Sequence, residues 1–201
     1  MLVSFTFIHA EIIDRIAVSV GNSVITAEDI DREIRVTAFL NGVQPDFSPA
    51  NKRATAERLV EQRLVRKELE ESKYPVPDAS AVLPAYEALM KTQRPNALAS
   101  YGINEQDVKD ALLWQLTLLR FIEVRFRPGV QVSDQEIGDY FEKTVKPAAE
   151  AAHPGQPVSL EDYRDKIEET LTAQRTDRDV DTWMKEARKR TEIVFHQEVF
   201  Q

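Results

Sequence analysis

The chain of 201 residues contains no cysteine and only six glycines. The lack of cysteine excludes disulfide bonds, thiolate nucleophiles and cysteine-ligated zinc sites. The low glycine content argues against a glycine-rich β architecture, and no segment approaches the ~20 apolar residues of a membrane-spanning helix. Hydrophobic residues make up 42% of the chain and charged residues 30%. This balance is typical of amphipathic helices that bury one face and expose the other to solvent.

Basic residues are in the minority, and the formal net charge is −8. An acidic chain is poorly suited to nonspecific nucleic-acid binding, which depends on Lys and Arg that neutralise phosphates. One local basic run, Lys185 to Arg190, falls near the end of a predicted helix. We interpret it as a set of cations that complement the helix dipole, and we expect no nucleic-acid partner.

The first ten residues, MLVSFTFIHA, are apolar and end in a small side chain. This pattern resembles the apolar region and cleavage position of a secretory signal peptide, although no basic residues precede it. The alternative is a short strand that packs on the body of the protein. We expect residues 1–10 to be a leader or signal-peptide remnant and the protein to be periplasmic or secreted, without stable membrane insertion.

Start and stop signals predict a strand, a series of helices and a second strand. The β-branched run Ile12–Val20 predicts the first strand, with Gly21-Asn22 as a turn, and Ile193–Phe200 predicts the last. Thr26 to Asp29 has the spacing of a capping box that begins a helix. Caps, prolines and glycines then bound further helices at about 48–73, 78–93, 97–101, 105–125, 133–146 and 159–190.

The helix at 105–125 has the strongest apolar periodicity. Three- and four-residue spacing relates Val108, Leu112, Leu116, Leu119 and Ile122. Trp114, Leu118 and Phe121 widen the apolar face beyond what one neighbouring helix would cover. We therefore predict that this helix is central in the fold or forms the wall of a groove.

An isolated strand is unstable, so we expect the two terminal strands to pair with each other. The predicted fold is mainly α, with a small β-pair that joins the two ends of the chain. The predicted organisation is a helical core with its N-terminal strand at 11–146, a proline-rich linker at 147–158, and a returning helix and strand at 159–201 that complete the same domain.

No pattern in the chain indicates catalysis. The three histidines, His9, His153 and His196, lack metal-ligand spacing, and there is no glycine-rich phosphate loop or nucleophile elbow. Adjacent acidic pairs occur at helix starts or among Arg and Lys, where they serve capping and solubility: Glu28/Asp29, Glu70/Glu71, Glu161/Asp162 and Glu168/Glu169. We expect no catalytic residue, no metal, no cofactor and no enzymatic activity.

Four blocks of the sequence resemble one known family. They are Ile12–Ile30 (IIDRIAVSVGNSVITAEDI), Tyr101–Lys109 (YGINEQDVK) continuing through Leu116 to Ile122, Val132–Ile137 with Tyr140-Phe141, and Leu160–Phe195. In this order they are similar to the N-terminal chaperone module of SurA-like periplasmic proteins, a family that also includes the foldases PrsA and PpiD. The resemblance implies a helical domain of the trigger factor/SurA peptide-binding type.

The family's parvulin isomerase domain has no counterpart in this chain. Relatives usually place that domain, of roughly a hundred residues, between the third and fourth blocks. Here about 18 residues separate Phe141 from Leu160, and the paired histidines and Gly-Asp-Leu-Gly turn of parvulins are missing. The resemblance therefore implies the chaperone module without the prolyl isomerase.

Such a module would bind extended apolar segments of unfolded polypeptides through a concave surface. Large apolar and aromatic side chains are the candidate groove residues: Phe39, Tyr86, Met90, Trp114 and Trp183. For each of them, a place in the ordinary core is at least as good an interpretation.

Three hypotheses follow. The first is an ATP-independent holdase for secreted or outer-membrane proteins. The second is a divergent peptidyl-prolyl isomerase. The third is a structural or assembly subunit that uses the same surface for one fixed partner, or for a second copy of itself in a homodimer formed by exchange of the C-terminal helix and strand.

Overall fold

A computed structural model describes residues 14–201 of the chain. It is mainly helical, with one small three-stranded antiparallel sheet, which confirms the predicted fold class at this level. The predicted leader at 1–10 and the first residues of the predicted strand Ile12–Val20 lie outside the described residues.

The sheet contains strands β1 (Ile16–Val20), β2 (Ser23–Thr26) and β3 (Ile193–Phe195) in the order β2-β1-β3. The antiparallel pairing of β1 with β3 confirms the predicted association of the two chain ends. Strand β2 was not predicted. It forms because Gly21, with a left-handed φ of 55°, reverses the chain and brings Val24 and Ile25 alongside β1.

The helices, in chain order, are α1 (Ala27–Asn41), α2 (Pro49–Ser72), α3 (Leu83–Lys91), α4 (Ala97–Tyr101), α5 (Glu105–Arg125), α6 (Asp134–Tyr140), α7 (Lys146–Ala152) and α8 (Arg164–Lys189). Side-chain caps begin several of them. In α1 the amide N–H of Asp29 donates to the Thr26 hydroxyl and the amide N–H of Thr26 donates to the Asp29 carboxylate, both at 3.1 Å. A similar reciprocal pair at Ser133 and Glu136 begins α6.

Several boundaries differ from prediction. Helix α3 begins at Leu83, after a 3₁₀ turn at Ala79–Val82 that Asp78 caps. Helix α8 begins at Arg164, five residues after Ser159, whose hydroxyl instead accepts from the Glu161 amide in a bend. Helix α7 occupies the first half of the segment predicted as a linker at 147–158, and a π-helical turn at Phe141–Val145 joins it to α6. Alanine has the highest helix propensity, and Pro147 lies in the first turn of α7, where no amide donor is needed.

The C-terminal strand is shorter than predicted. Strand β3 ends at Phe195, and a 3₁₀ turn at Gln197–Val199 follows. The backbone N–H of His196 still donates to the carbonyl of Ala17 at 2.9 Å. The turn directs Val199 and Phe200 inward, where they are 7% and 8% exposed. Burial of these two side chains favours the turn over a longer strand.

The chain divides into two compact units. The first comprises Met1–Arg63 (described from residue 14), Met90–Val108 and Thr191–Gln201, and the second comprises Leu64–Leu89 and Lys109–Arg190. In the first, the sheet and α1 bury a core that includes Val18, Ile25, Ile30 and Phe39.

The second unit has two clusters of buried residues. In one, Val65, Leu69 and Phe121 are surrounded by Tyr74, Trp114, Leu118, Ile122, Phe126, Trp183 and Met184. In the other, Ile137, Phe141 and Ile167 pack with residues of the 158–171 segment. The first of these clusters forms the base of the candidate site.

Candidate functional site

A cleft of ≈ 420 Å³ opens on the second unit. Its lining comes from α2, from the loop after α2, and from α5: Arg66, Leu69 and Glu70; Val76 and Pro77; Asp110, Leu113, Trp114 and Thr117. The spacing of these residues is helical, since residues three, four and seven apart lie on one face of a helix. One face of each helix therefore forms a wall of the cleft.

The loop that closes one side of the cleft is held by Tyr74. The ring of Tyr74 packs edge-to-face on Phe121, with centroids 5.6 Å apart, and its hydroxyl accepts a hydrogen bond from Arg125 Nη1 at 2.7 Å. Arg125 also pairs with Glu68 at 3.1 Å. Two prolines flank Val76 and restrict its backbone. Val76 is thereby held with 60% of its surface exposed.

Most of the inner surface of the cleft is apolar. Leu69 is buried in the cluster around Phe121, and Trp114 packs against the same cluster while it also lines the cleft. The hydroxyl of Thr117 donates to the carbonyl of Leu113 at 2.7 Å, so its polar atom is satisfied within α5. The interior therefore offers apolar surface without a buried hydroxyl that a ligand would have to satisfy.

Charged side chains border this apolar surface. The guanidinium carbon of Arg66 lies 4.5 Å from the centre of the Trp114 ring, a cation–π arrangement. Glu70 and Asp110 are exposed carboxylates, one from each helix. The lining thus contains two acidic groups and one basic group, and its formal charge has the same sign as that of the whole chain.

Only one of the five candidate groove residues belongs to this lining, and it is Trp114. Phe39 is 1% exposed and packs edge-to-face on Tyr101 at 5.5 Å, so its proposed role in a groove is wrong and the alternative of an ordinary core residue holds. Trp183 is half-buried between Phe121 and Phe126.

Tyr86 and Met90, the other two candidates, are half-buried on α3. The ammonium of Lys109 lies 5.0 Å from the centre of the Tyr86 ring. Neither side chain belongs to the lining of the cleft.

Sequence reasoning missed the loop residue Val76 and the lining residues Leu69 and Leu113. The prolines of the segment Tyr74 to Pro77 predict the end of a helix near residue 73 and nothing more. A usable signal was present, because an apolar residue between two prolines is held extended and cannot continue a helix. The sequence could not show, however, that Val76 lies beside α5 in the folded protein.

A second hollow of ≈ 440 Å³ in the same unit is polar. It is lined by Gly129, Val130, Gln131, Arg175, Arg178 and Asp179. Arg175 donates to the Gln131 carbonyl and to the Glu136 carboxylate, so its guanidinium already joins α8 to the start of α6. We assign this hollow to the structural connection between the two helices.

One group of side chains has the residue types of a hydrolytic triad. Ser19 Oγ lies 3.4 Å from His196 Nε2, and His196 Nδ1 lies 3.9 Å from Glu198 Oε1. The second distance exceeds hydrogen-bond range, and the Glu198 side chain is 71% exposed. An acyl-transfer triad needs an imidazole that the carboxylate orients, so this arrangement does not support catalysis.

The resolved pKa shifts belong to caps and surface ion pairs. Hydrogen bonds from the hydroxyl and the amide of Ser80 lower the pKa of Asp78, which begins the 3₁₀ turn at Ala79–Val82. On α8, a hydrogen bond from the Lys189 ammonium and its positive charge lower the pKa of Glu186. Neither carboxyl lines the cleft.

Within residues 14–201, no three or more His, Asp or Glu side chains come close enough together to hold a metal ion. None of the helices in this part of the chain is long and apolar enough to cross a membrane. Comparison with protein-family models and with curated proteins finds no match to this chain.

Proposed function

We propose that this protein is an ATP-independent periplasmic chaperone that holds unfolded or extended segments of secreted and outer-membrane proteins. The observation that carries the proposal is the cleft between α2 and α5, whose apolar interior is open to solvent and ends in the exposed Val76. Such a surface suits side chains from many different sequences, because the apolar contacts it offers are not directional.

The size of the cleft favours weak and reversible binding. A volume of ≈ 420 Å³ accommodates a few side chains of an extended chain. Each apolar side chain that is fully buried contributes roughly 1.5–3 kcal/mol. The loss of translational freedom and the ordering of the client offset much of this gain. We therefore expect dissociation constants in the micromolar range, and release by dissociation without nucleotide hydrolysis.

The resemblance to SurA-like chaperones supports the same function. It also suggests that this chain lacks the family's prolyl-isomerase activity. The segment that joins Phe141 to Leu160 consists of a π-helical turn, α7 and a short connection. In the family this position holds the isomerase. We propose that the protein binds clients without catalysing proline isomerisation. The periplasmic location rests on the apolar N-terminal segment, which lies outside the described residues.

The test measures suppression of aggregation. An outer-membrane protein unfolded in urea is diluted into buffer with increasing amounts of the full chain, and light scattering is recorded. We expect suppression near equimolar ratios. Val76→Asp should weaken it, because a charge at the edge of the cleft disfavours an apolar client. Val43→Asp is the matched control, since Val43 is 54% exposed and belongs to the other unit.

Two outcomes would contradict the proposal. Clients that fail to bind at tens of micromolar, or equal effects of the two Val→Asp changes, would exclude holding in this cleft. A protease-coupled proline-peptide assay should show no rate above background. Catalysis in that assay would instead support the divergent isomerase.

A further inference from the structure

We infer that Tyr74 is a positioning residue of the cleft, and that its hydroxyl controls the affinity for clients by fixing the place of Val76. This inference rests on the proposed function and gives a role to a side chain that is not among the lining residues. Val76 and Pro77 follow Tyr74 closely in the chain, and both belong to the lining. We call the segment from Lys73 to Pro77 the strap.

The hydroxyl of Tyr74 joins the strap to the two helices that form the walls of the cleft. It accepts a hydrogen bond from Arg125 Nη1 of α5 at 2.7 Å, and the same nitrogen lies 3.1 Å from Glu68 Oε1 of α2. That carboxylate oxygen also accepts from the Ser72 hydroxyl at 3.0 Å. Because the donor is charged, the hydrogen bond to the phenol is stronger than one between neutral groups. The ring adds an edge-to-face contact with Phe121, which is 2% exposed.

The backbone transmits the position of Tyr74 to Val76. Ring closure fixes φ of Pro75 and Pro77 at about −65°, and a residue that precedes a proline is confined to extended conformations. Both Tyr74 and Val76 precede a proline. Few soft dihedral angles therefore remain between the phenol ring and the Val76 side chain, so a shift of the first displaces the second.

Both ends of the strap are fixed as well. Lys73, which follows the last residue of α2, has a left-handed φ of 51° and directs the chain away from the helix axis. After the strap, the Ser80 amide donates to the Asp78 carboxylate at 2.8 Å, and Val82 is 4% exposed. With its ends held, the strap depends on the contacts of Tyr74 for the position of its middle relative to α5.

The Tyr74 hydroxyl should act on affinity through the fraction of molecules in which Val76 is in place. The apparent dissociation constant rises in inverse proportion to the fraction of molecules that are competent to bind. Loss of a hydrogen bond from a charged donor shifts such an equilibrium by roughly tenfold. The ring contact with Phe121 would remain in Tyr74→Phe, so we expect a dissociation constant about fivefold higher in this variant.

The experiment measures how tightly the full chain binds a fluorescein-labelled synthetic peptide with a centre of Leu and Ser residues, by anisotropy. Tyr74→Phe keeps the ring, removes the hydroxyl and should raise the dissociation constant by about fivefold. Tyr163→Phe is the matched control. It makes the same change in the same unit, in a ring that packs on Phe141 in the other cluster, and should leave the dissociation constant within about twofold of the native value.

Two comparisons separate positioning from a general loss of stability. Ile137→Val removes a methyl group from the other cluster and lowers the free energy of unfolding, but it should leave peptide affinity within about twofold of the native value. In a Val76→Ala background, Tyr74→Phe should change the dissociation constant by about twofold or less, because the side chain through which it acts has been removed. A residue that only stabilised the fold would have the same effect in both backgrounds.

Four results would overturn the inference while the chaperone proposal stands, provided that Val76→Asp still weakens binding. Tyr74→Phe could bind as tightly as the native protein, Ile137→Val could weaken binding as much as Tyr74→Phe does, or Tyr74→Phe could act equally with and without the Val76 side chain. If Tyr74→Phe does not fold, Pro75→Ala decides: it should weaken binding by loosening the strap, and native affinity is the fourth such result. If the native chain does not bind the peptide at tens of micromolar, the proposed function fails together with this inference.

Discussion

The guanidinium of Arg53 lies 3.6 Å from the centre of the Phe195 ring. Arg53 is in the first turns of α2 and Phe195 ends β3, so the contact joins the second long helix to the last strand of the chain. Nη1 of Arg53 also donates to the side chain of Gln197 at 3.4 Å. This contact helps to fix the C-terminal segment beside β1.

Arg53→Ala should lower the free energy of unfolding by about 1 kcal/mol, because a partly shielded cation–π contact has about that value. Urea denaturation measures the change. Lys67→Ala is the control on the same helix. Its ammonium pairs with the exposed Glu71 at 3.8 Å, and its loss should cost less than about 0.5 kcal/mol. Equal losses would show that the ring contact contributes nothing specific.

Phe121 and Leu119 are two residues apart on α5, but their environments are opposite. Phe121 is 2% exposed at the centre of a buried cluster, whereas Leu119 is 62% exposed. Phe121→Ala should cost about 3–5 kcal/mol through lost contacts and a cavity. Leu119→Ala should change stability by no more than about 0.5 kcal/mol. Thermal and urea unfolding compare the two, and a large loss in the Leu119 variant would contradict this packing.

Two substitutions at Thr26 should measure how much the capping box of α1 contributes to the free energy of unfolding. Thr26→Ala removes the hydroxyl that accepts from the Asp29 amide, and we expect a loss of about 1 kcal/mol. Thr26→Ser keeps an acceptor at the same place and should retain most of the stability. If both variants lose the same amount, the effect comes from the side-chain methyl group and not from the cap.

The carboxylate of Glu136 should make stability depend on pH. Hydrogen bonds from the amide and the hydroxyl of Ser133, with a further contribution from Arg175, lower its pKa from the ordinary value of 4.5. A lowered pKa in the folded state means that the stabilisation is present above 4.5 and is lost as the pH falls through the folded value. The Tm difference between the native protein and Glu136→Gln should therefore be largest near pH 6–7 and shrink in acid.

The control for this experiment is Glu168→Gln, which changes an exposed carboxylate on the neighbouring helix α8. Its Tm difference from the native protein should stay small across the same pH range. The prediction would be contradicted if the Tm difference between the native protein and Glu136→Gln grew as the solution is acidified.

Local signals predicted most helix boundaries correctly. The Thr26 capping box, the left-handed Gly42 and Gly102, and the Ser48-Pro49 start all lie where the sequence indicated them. Each depends on a few adjacent residues and on backbone geometry, so no distant contact is needed to infer it. Strand β2 was missed because its four residues form a strand only when β1 lies beside them.

The candidate site was predictable in part. Large apolar residues on α5 predicted either a central helix or the wall of a groove, and Trp114 does line the cleft. Periodicity could not separate Phe121, which is in the core, from Leu116 and Leu119, which are 36% and 62% exposed. All of these positions are apolar, and only the neighbouring helices decide which of them is covered.

The amino-acid sequence by itself determined that the chain is mainly helical, where most of its helices begin, and that its two terminal strands pair. These properties follow from caps, turns and the instability of a lone strand. Only the tertiary structure decided that Val76 stays exposed, that Arg66 stacks on Trp114, and that Glu70 and Asp110 line one cleft. The physical reason is that burial and charge proximity depend on which helix faces meet, and these helices belong to separate parts of the chain.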